Sequence, residues 1–148
     1  MFRTSIRRSA VLRVLLLCLP LWVGTAAGGQ QTSASHPASA IFAAVSKGMT
    51  SGEATSFGRF LAPQVYVSLR TGEHGYFSTN QASALLEYFL RTRKISNLVF
   101  STIGENATIP YATGSATLLY KGSRQLVQVY VAVARVGDQW LITQLNIY

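Results

Sequence analysis

Residues that carry chemistry are scarce in this sequence. It has one cysteine, two histidines and five acidic residues in 148 positions. The cysteine, Cys18, lies in an apolar N-terminal run. A chain from which that run is removed holds no thiol. Disulfides, zinc thiolates and cysteine nucleophiles then drop out together. Two histidines that stand apart, with scattered acids, do not make a metal-ligand set. No glycine-rich phosphate loop is present, and the residues imply no cofactor. A domain without disulfide or metal depends on its own apolar core. About 120 residues suffice for one such core and not for two.

The N-terminus reads as a targeting segment. Arg3, Arg7, Arg8 and Arg13 precede the apolar run Val14 to Val23, and small residues "GTAAGGQ" follow. That order is the anatomy of a secretory signal peptide. The run is too short to span a bilayer, which needs roughly 20 residues. We therefore expect a signal over 1–27, cleavage after Ala27 or Gly28, and an exported, periplasmic or secreted product without stable membrane insertion. The alternative is an uncleaved N-terminal anchor. Leu17 precedes Cys18, whereas a lipidation site would carry a small residue there.

The formal charge of +8 overstates the basicity of the remainder, because four of the thirteen basic residues lie in the signal. The other nine are scattered, apart from "RTRK" at 91–94. That cluster falls at an expected helix end, where cations suit the macrodipole, so it does not call for a nucleic-acid partner.

Residues 28–37, "GGQQTSASHP", read as a flexible linker, and 38–148 as one domain. Ile41, Phe42, Val45 and Met49 recur at helical spacing behind Ser39 as N-cap. "SGEATSFGRFLAP" reads as a short second helix closed by Pro63. The period then changes to two: Val65, Val67 and Leu69 alternate with polar residues in a strand, and "YFS" pairs back. Ser78 and Gln81 form a capping box for a helix whose apolar stripe is Ala82, Leu85, Leu86, Phe89 and Leu90. After "NLVFSTI" come strands over about 109–121, 124–136 and 139–148, joined by turns at Gly122-Ser123 and Gly137-Asp138. Helices followed by an antiparallel meander point to an α+β fold, with N-terminal helices on one face of a curved antiparallel sheet.

Three segments, "FSTNQASALLEYFL", "YATGSATLLYKGSRQLVQVYV" and "WLITQLNIY", resemble the bacterial family of domain of unknown function 4783. That family lies within the cystatin-like, nuclear transport factor 2-like superfamily. The resemblance implies a cystatin-like cone. It implies no activity, because the superfamily includes isomerases, dehydratases, hydrolases and non-enzymatic binders, and fold alone does not choose among them.

The expected turns set a register. Lys121 would face Arg124, Leu118 would face Val127, and Val129 would face Asn146. One sheet face then carries Ala112, Gly114, Ala116, Leu118, the valines 127–133, Trp140, Ile142, Gln144, Asn146 and Tyr148. This is the expected core face. Ala112, Gly114 and Ala116 would leave room there for a helix. Its polar end, Gln144, Asn146 and Tyr148, would form a pocket mouth with Leu118 and Val127 as the apolar wall. The alternative is a strand end leaving the core for water. The opposite face carries Tyr130, Leu141, Leu145 and Ile147 and could support a homodimer.

No acid or histidine falls on an expected inward position, and Glu73-His74 sits in the turn "TGEHG". "NAT" at 106–108 matches a glycosylation sequon, which is a short pattern. The favoured expectation is a non-catalytic exported domain that binds a small apolar or amphipathic ligand, or a protein partner. The alternative is a lyase, isomerase or hydrolase of the same cone.

Overall fold

The computed structural model describes residues 36–148. The expected signal at 1–27 and nearly all of the expected linker lie outside the described residues.

Helix α1 spans Pro37–Ser51. Its N-cap is His36, whose Nδ1 accepts from the Ala38 N–H at 3.2 Å, and Pro37 occupies the first turn, where its missing donor costs nothing. The expected cap Ser39 lies inside the helix instead, and its hydroxyl donates to Glu105. Gly52 ends α1 in the left-handed region, at φ 79°. Helix α2 is one turn, Thr55–Gly58, and buries Phe57. Strand β1 begins already at Leu61 and runs to Leu69, so Pro63 sits in a strand and closes no helix. It lies where the pairing of β1 slips between Leu61 and Tyr66, a place where a missing donor breaks no regular ladder.

Strand β2, His74–Ser78, pairs back on β1. Helix α3, Thr79–Thr92, starts on the expected capping box of Ser78 and Gln81. It buries Ala82, Leu86, Phe89 and Leu90. Strands β3 (Lys94–Gly104), β4 (Tyr111–Tyr120), β5 (Ser123–Val136) and β6 (Gln139–Ile147) complete the chain. The sheet order is β2-β1-β6-β5-β4-β3, antiparallel except for the β1–β6 pair, which is parallel. The fold is therefore the expected α+β cystatin-like cone: helices against a curved, unclosed, mostly antiparallel sheet.

The space between helices and sheet is packed with apolar groups. Phe42, Met49, Phe57, Leu86, Phe89 and Ile95 are all but excluded from solvent. Gly114 has a different purpose from the one expected. A Cβ there would lie 2.0 Å from the Val99 carbonyl oxygen and 2.7 Å from Phe100 Cα. The missing side chain admits the neighbouring strand β3 and not a helix. Strand β3 is irregular at that point, with pairing shifts on both sides of Val99 and Phe100. Such bulges bend and twist a strand, which curves this edge of the sheet.

Candidate functional site

Two details of the hairpins decide which side chains share a surface. In the β4–β5 turn the central residues are Lys121 and Gly122, at φ 47° and 78°, and Tyr120 pairs with Ser123. The turn sits one residue earlier than expected. Pairs slip by two, so Val127 faces Ala116 and Leu118 faces Gln125. A slip of two keeps every side chain on its face. Leu118 and Val127 are accordingly on the core face, both buried.

The β5–β6 hairpin begins as expected, with Val136 opposite Gln139 and Val133 opposite Ile142. Then Ala132 faces Gln144, leaving Thr143 as an extra residue. One inserted residue reverses the facing of everything beyond it. Leu145 and Ile147 enter the core beside Val131 and Val129, each 0% exposed. Gln144 and Asn146 move to the outer face, beside Ala132 and Tyr130.

This corrects two expectations. Gln144, Asn146 and Tyr148 do not form a pocket mouth with Leu118 and Val127: the first two lie across the sheet from that wall, and Tyr148 is exposed at the strand end. Leu145 and Ile147 do not belong to an outer interface, because they are core residues. Of the four residues expected there, Tyr130 remains on the outer face, and Leu141 is half-buried.

The outer face holds a hollow of about 650 Å³ that the sequence reading missed. Its floor is the small Ala132 with Tyr66, Tyr130, Gln144 and Asn146, and Tyr76 and Ile109 border it. The parallel pairing of β1 with β6 makes it, setting Tyr66 against Gln144 and Ser68 against Asn146. The β1–β2 hairpin then sets Tyr76 beside Tyr66, rings 5.2 Å apart and edge to face. On the far side Tyr111 stacks on Tyr130 at 6.1 Å. Tyr76 is 70% exposed. No charged side chain lines this hollow. Asn146 Oδ1 is sealed from solvent and has no hydrogen-bond partner. Buried polar groups are ordinarily paired, so this unpaired oxygen is an exception that calls for an explanation.

The core offers a contrast. Among the described residues, no polar or charged residue is fully buried, and no group of three metal-ligating side chains occurs. A second hollow, about 400 Å³, lies beside Trp140, Phe60 and Pro37, with Arg59 at its rim. The His36 ring meets the Trp140 ring there at 5.1 Å, edge to face. Glu73 is the one carboxylate with a clear shift: the Thr71 hydroxyl, its own backbone N–H and Arg93 together hold it below the usual carboxylate range. It stands in an exposed turn, as expected.

The family model described as "Domain of unknown function (DUF4783)" matches residues 42–148. Among solved structures, a DUF4783 family protein from Bacteroides ovatus is 19% identical, with a TM-score of 0.57 over 71% of this chain and 91% of that one. A nuclear transport factor 2-like protein of unknown function from Shewanella oneidensis is 10% identical, with a TM-score of 0.56 over 75% and 95%. A domain of unknown function with a cystatin-like fold from Nostoc punctiforme is 9% identical, with a TM-score of 0.58 over 73% and 72%. Nothing among curated proteins matches the chain. At these identities the structural likeness concerns the fold alone.

Proposed function

The chain belongs to the DUF4783 family of domains of unknown function, and from that premise we propose that it is a non-catalytic binding domain whose site is the outer sheet hollow. The observation that carries this reading is the contrast between the two faces. The cone interior is filled with apolar side chains, so it offers neither space nor an acid or base. The outer hollow offers flat aromatic faces and carboxamides around a small-residue floor. Enzymes of such a cone would need a base within hydrogen-bond reach of a bound substrate, and neither the apolar interior nor the outer hollow presents an acid or histidine.

The ligand chemistry follows from the lining. Tyrosine rings suit a flat apolar surface, and their hydroxyls, with Gln64, Gln144 and Asn146, supply both donors and acceptors. The absence of charge from the lining favours a neutral ligand. A polyhydroxylated ring, apolar on its faces and hydrogen-bonding at its rim, fits that description. The basic start, short apolar run and small residues of the N-terminus support an exported setting for this binding.

The test is an NMR titration of the tyrosine rings with maltose, cellobiose and N,N′-diacetylchitobiose. Saturable shifts at Tyr66, Tyr76 and Tyr130, lost in Tyr76→Ala, are expected. A set of tyrosines unmoved by all three sugars overturns the ligand class. The exposed Tyr76 also supports a second reading, a homodimer through this face. Sedimentation distinguishes it: a dimer dissociated by Tyr76→Glu would assign the hollow to a second copy.

A further inference from the structure

We propose that the end of the sheet around the β4–β5 hairpin tip is a docking surface for an anionic lipid bilayer. Strand direction gathers charge here. The C-termini of α3, β1 and β4 and the N-termini of β3 and β5 all lie at this end. They bring together Arg70, Arg91, Arg93, Lys94, Lys121 and Arg124. Arg70 Nε donates to Gln125 Oε1 at 3.0 Å. Arg93 and Lys121 both lie over the Tyr120 ring, at 4.5 and 5.2 Å. Lys94 and Arg124 flank Leu119 across three paired strands. Glu53 and Glu73 are the acids at this end, so six cations meet two carboxylates, an excess of four. Elsewhere in the described residues Lys47, Arg59 and Arg135 are balanced by Glu87, Glu105 and Asp138. Most of the basic excess of the domain therefore sits at one end.

Two further observations bear on this end. Lys121 occupies the first central position of a hairpin turn with both central residues at positive φ, at 47°. Asparagine, aspartate and glycine are the residues that adopt this conformation readily. A lysine held there keeps a strained backbone at the outermost point of the cationic end, and such outliers point to function. Secondly, large apolar side chains are exposed among the cations. Leu126 is 71% exposed and Tyr120 is 37% exposed. Leu126 shares an open hollow of about 480 Å³ with Lys94, Arg124, Ser96 and Thr117.

The arrangement distinguishes between anionic partners. A single small anion is held by cations that converge in an enclosed site. Here the cations spread over one end, with leucine and tyrosine between them. That matches an interface in which phosphates neutralise lysine and arginine while apolar side chains enter the headgroup region.

The test uses vesicles of phosphatidylcholine alone or mixed with phosphatidylglycerol. Each variant is compared with its parent both as the full chain and as the chain from Gly28, the expected mature form, and the chain from Gly28 decides the outcome, because the basic and apolar residues 1–27 can themselves bind such vesicles. Binding should require phosphatidylglycerol and weaken as salt rises. Lys121→Asn, Lys94→Gln and Arg124→Gln should each lower partitioning about fivefold, since each basic residue near such a surface contributes about 1 kcal/mol. Lys121→Asn should do so without loss of thermal stability, because asparagine tolerates the turn. Leu126→Gln should weaken binding at high salt as well as low. Arg135→Gln, at the opposite hairpin, should change nothing. Equal binding to both vesicles overturns the proposal, as does an equal loss from Arg135→Gln, which would make net charge the only factor. Binding to soluble polyphosphate but not to vesicles would overturn the bilayer as partner.

Discussion

Leu145 and Asn146 are neighbours in sequence, and apolar substitutions at them should differ sharply in their effect on stability. The cause is the extra residue Thr143, which turns Leu145 inward and Asn146 outward. Leu145 is 0% exposed within the valine layer. Leu145→Ala removes buried methyl and methylene groups and leaves a cavity that a sheet floor cannot close. Such changes cost about 2–5 kcal/mol, and a fully enclosed position in the middle of a sheet belongs at about 3. For a domain of this size that is a fall of roughly 10–15 °C in Tm. Asn146 presents the reverse case. Its Oδ1 is shielded from water and unpaired, and an unsatisfied buried acceptor costs about 1–3 kcal/mol. Asn146→Leu removes that cost, so stability should be unchanged or rise by about 1 kcal/mol. Urea unfolding with linear extrapolation measures both changes, provided that the slope with denaturant is constant. An unbulged β6 would leave Leu145 on the outer face. Leu145→Ala would then cost under about 0.5 kcal/mol, the usual figure for a surface site, and Asn146→Leu would act on the core. That pair of results would refute the bulge and the outer hollow built on it.

Gly114→Ala should destabilise by about 3 kcal/mol or more in the same assay, because its Cβ meets fixed backbone of β3 and not a flexible side chain. Ser78→Ala should cost about 1 kcal/mol by opening the capping box of α3. The depressed pKa of Glu73 implies a stabilising contribution that is present above the ordinary carboxylate value and lost as pH falls through its folded value. Carboxyl NMR titration should show that value rising in Thr71→Val, and an unchanged titration would show that the Thr71 hydroxyl is not its principal cause. Mass analysis of protein from its native host should find an N-terminus near Gly28 and no lipid on Cys18; a full-length, membrane-held product would contradict export.

The fold class was legible because it rests on periodicity, and periodicity is local. The helical stripe from Ala82 to Leu90 and the alternation of Val65, Val67 and Leu69 follow from which side must meet apolar neighbours. The capping box at Ser78 was legible for the same reason, since its partners lie three residues apart. The start of α1 was less so: His36 and Pro37 do the capping that Ser39 was expected to do, because several nearby residues could each have closed that end. The cone interior was foreseen as free of acids, since every acid fell in a turn or on an exposed flank.

The candidate site was not legible, and the reason is parity. A strand's facing depends on counting residues by two, so one inserted residue moves every later side chain to the opposite face. A signal existed. Apolar residues at Ile142, Leu145 and Ile147 change from even to odd positions across Thr143, which a straight strand with one buried face cannot satisfy. The outer hollow lacked even that trace. It arises where Tyr66 is laid parallel against Gln144, 78 positions further along the chain, a pairing that neither segment encodes alone. The cationic end is similar. "RTRK" is visible as a cluster, but its union with Arg70, Lys121 and Arg124 depends on which strand ends lie together. Local sequence therefore determined which residues form helices and strands and which of their sides are apolar. Tertiary pairing alone decided which polar and charged groups share a surface, because that depends on contacts between segments far apart in the chain.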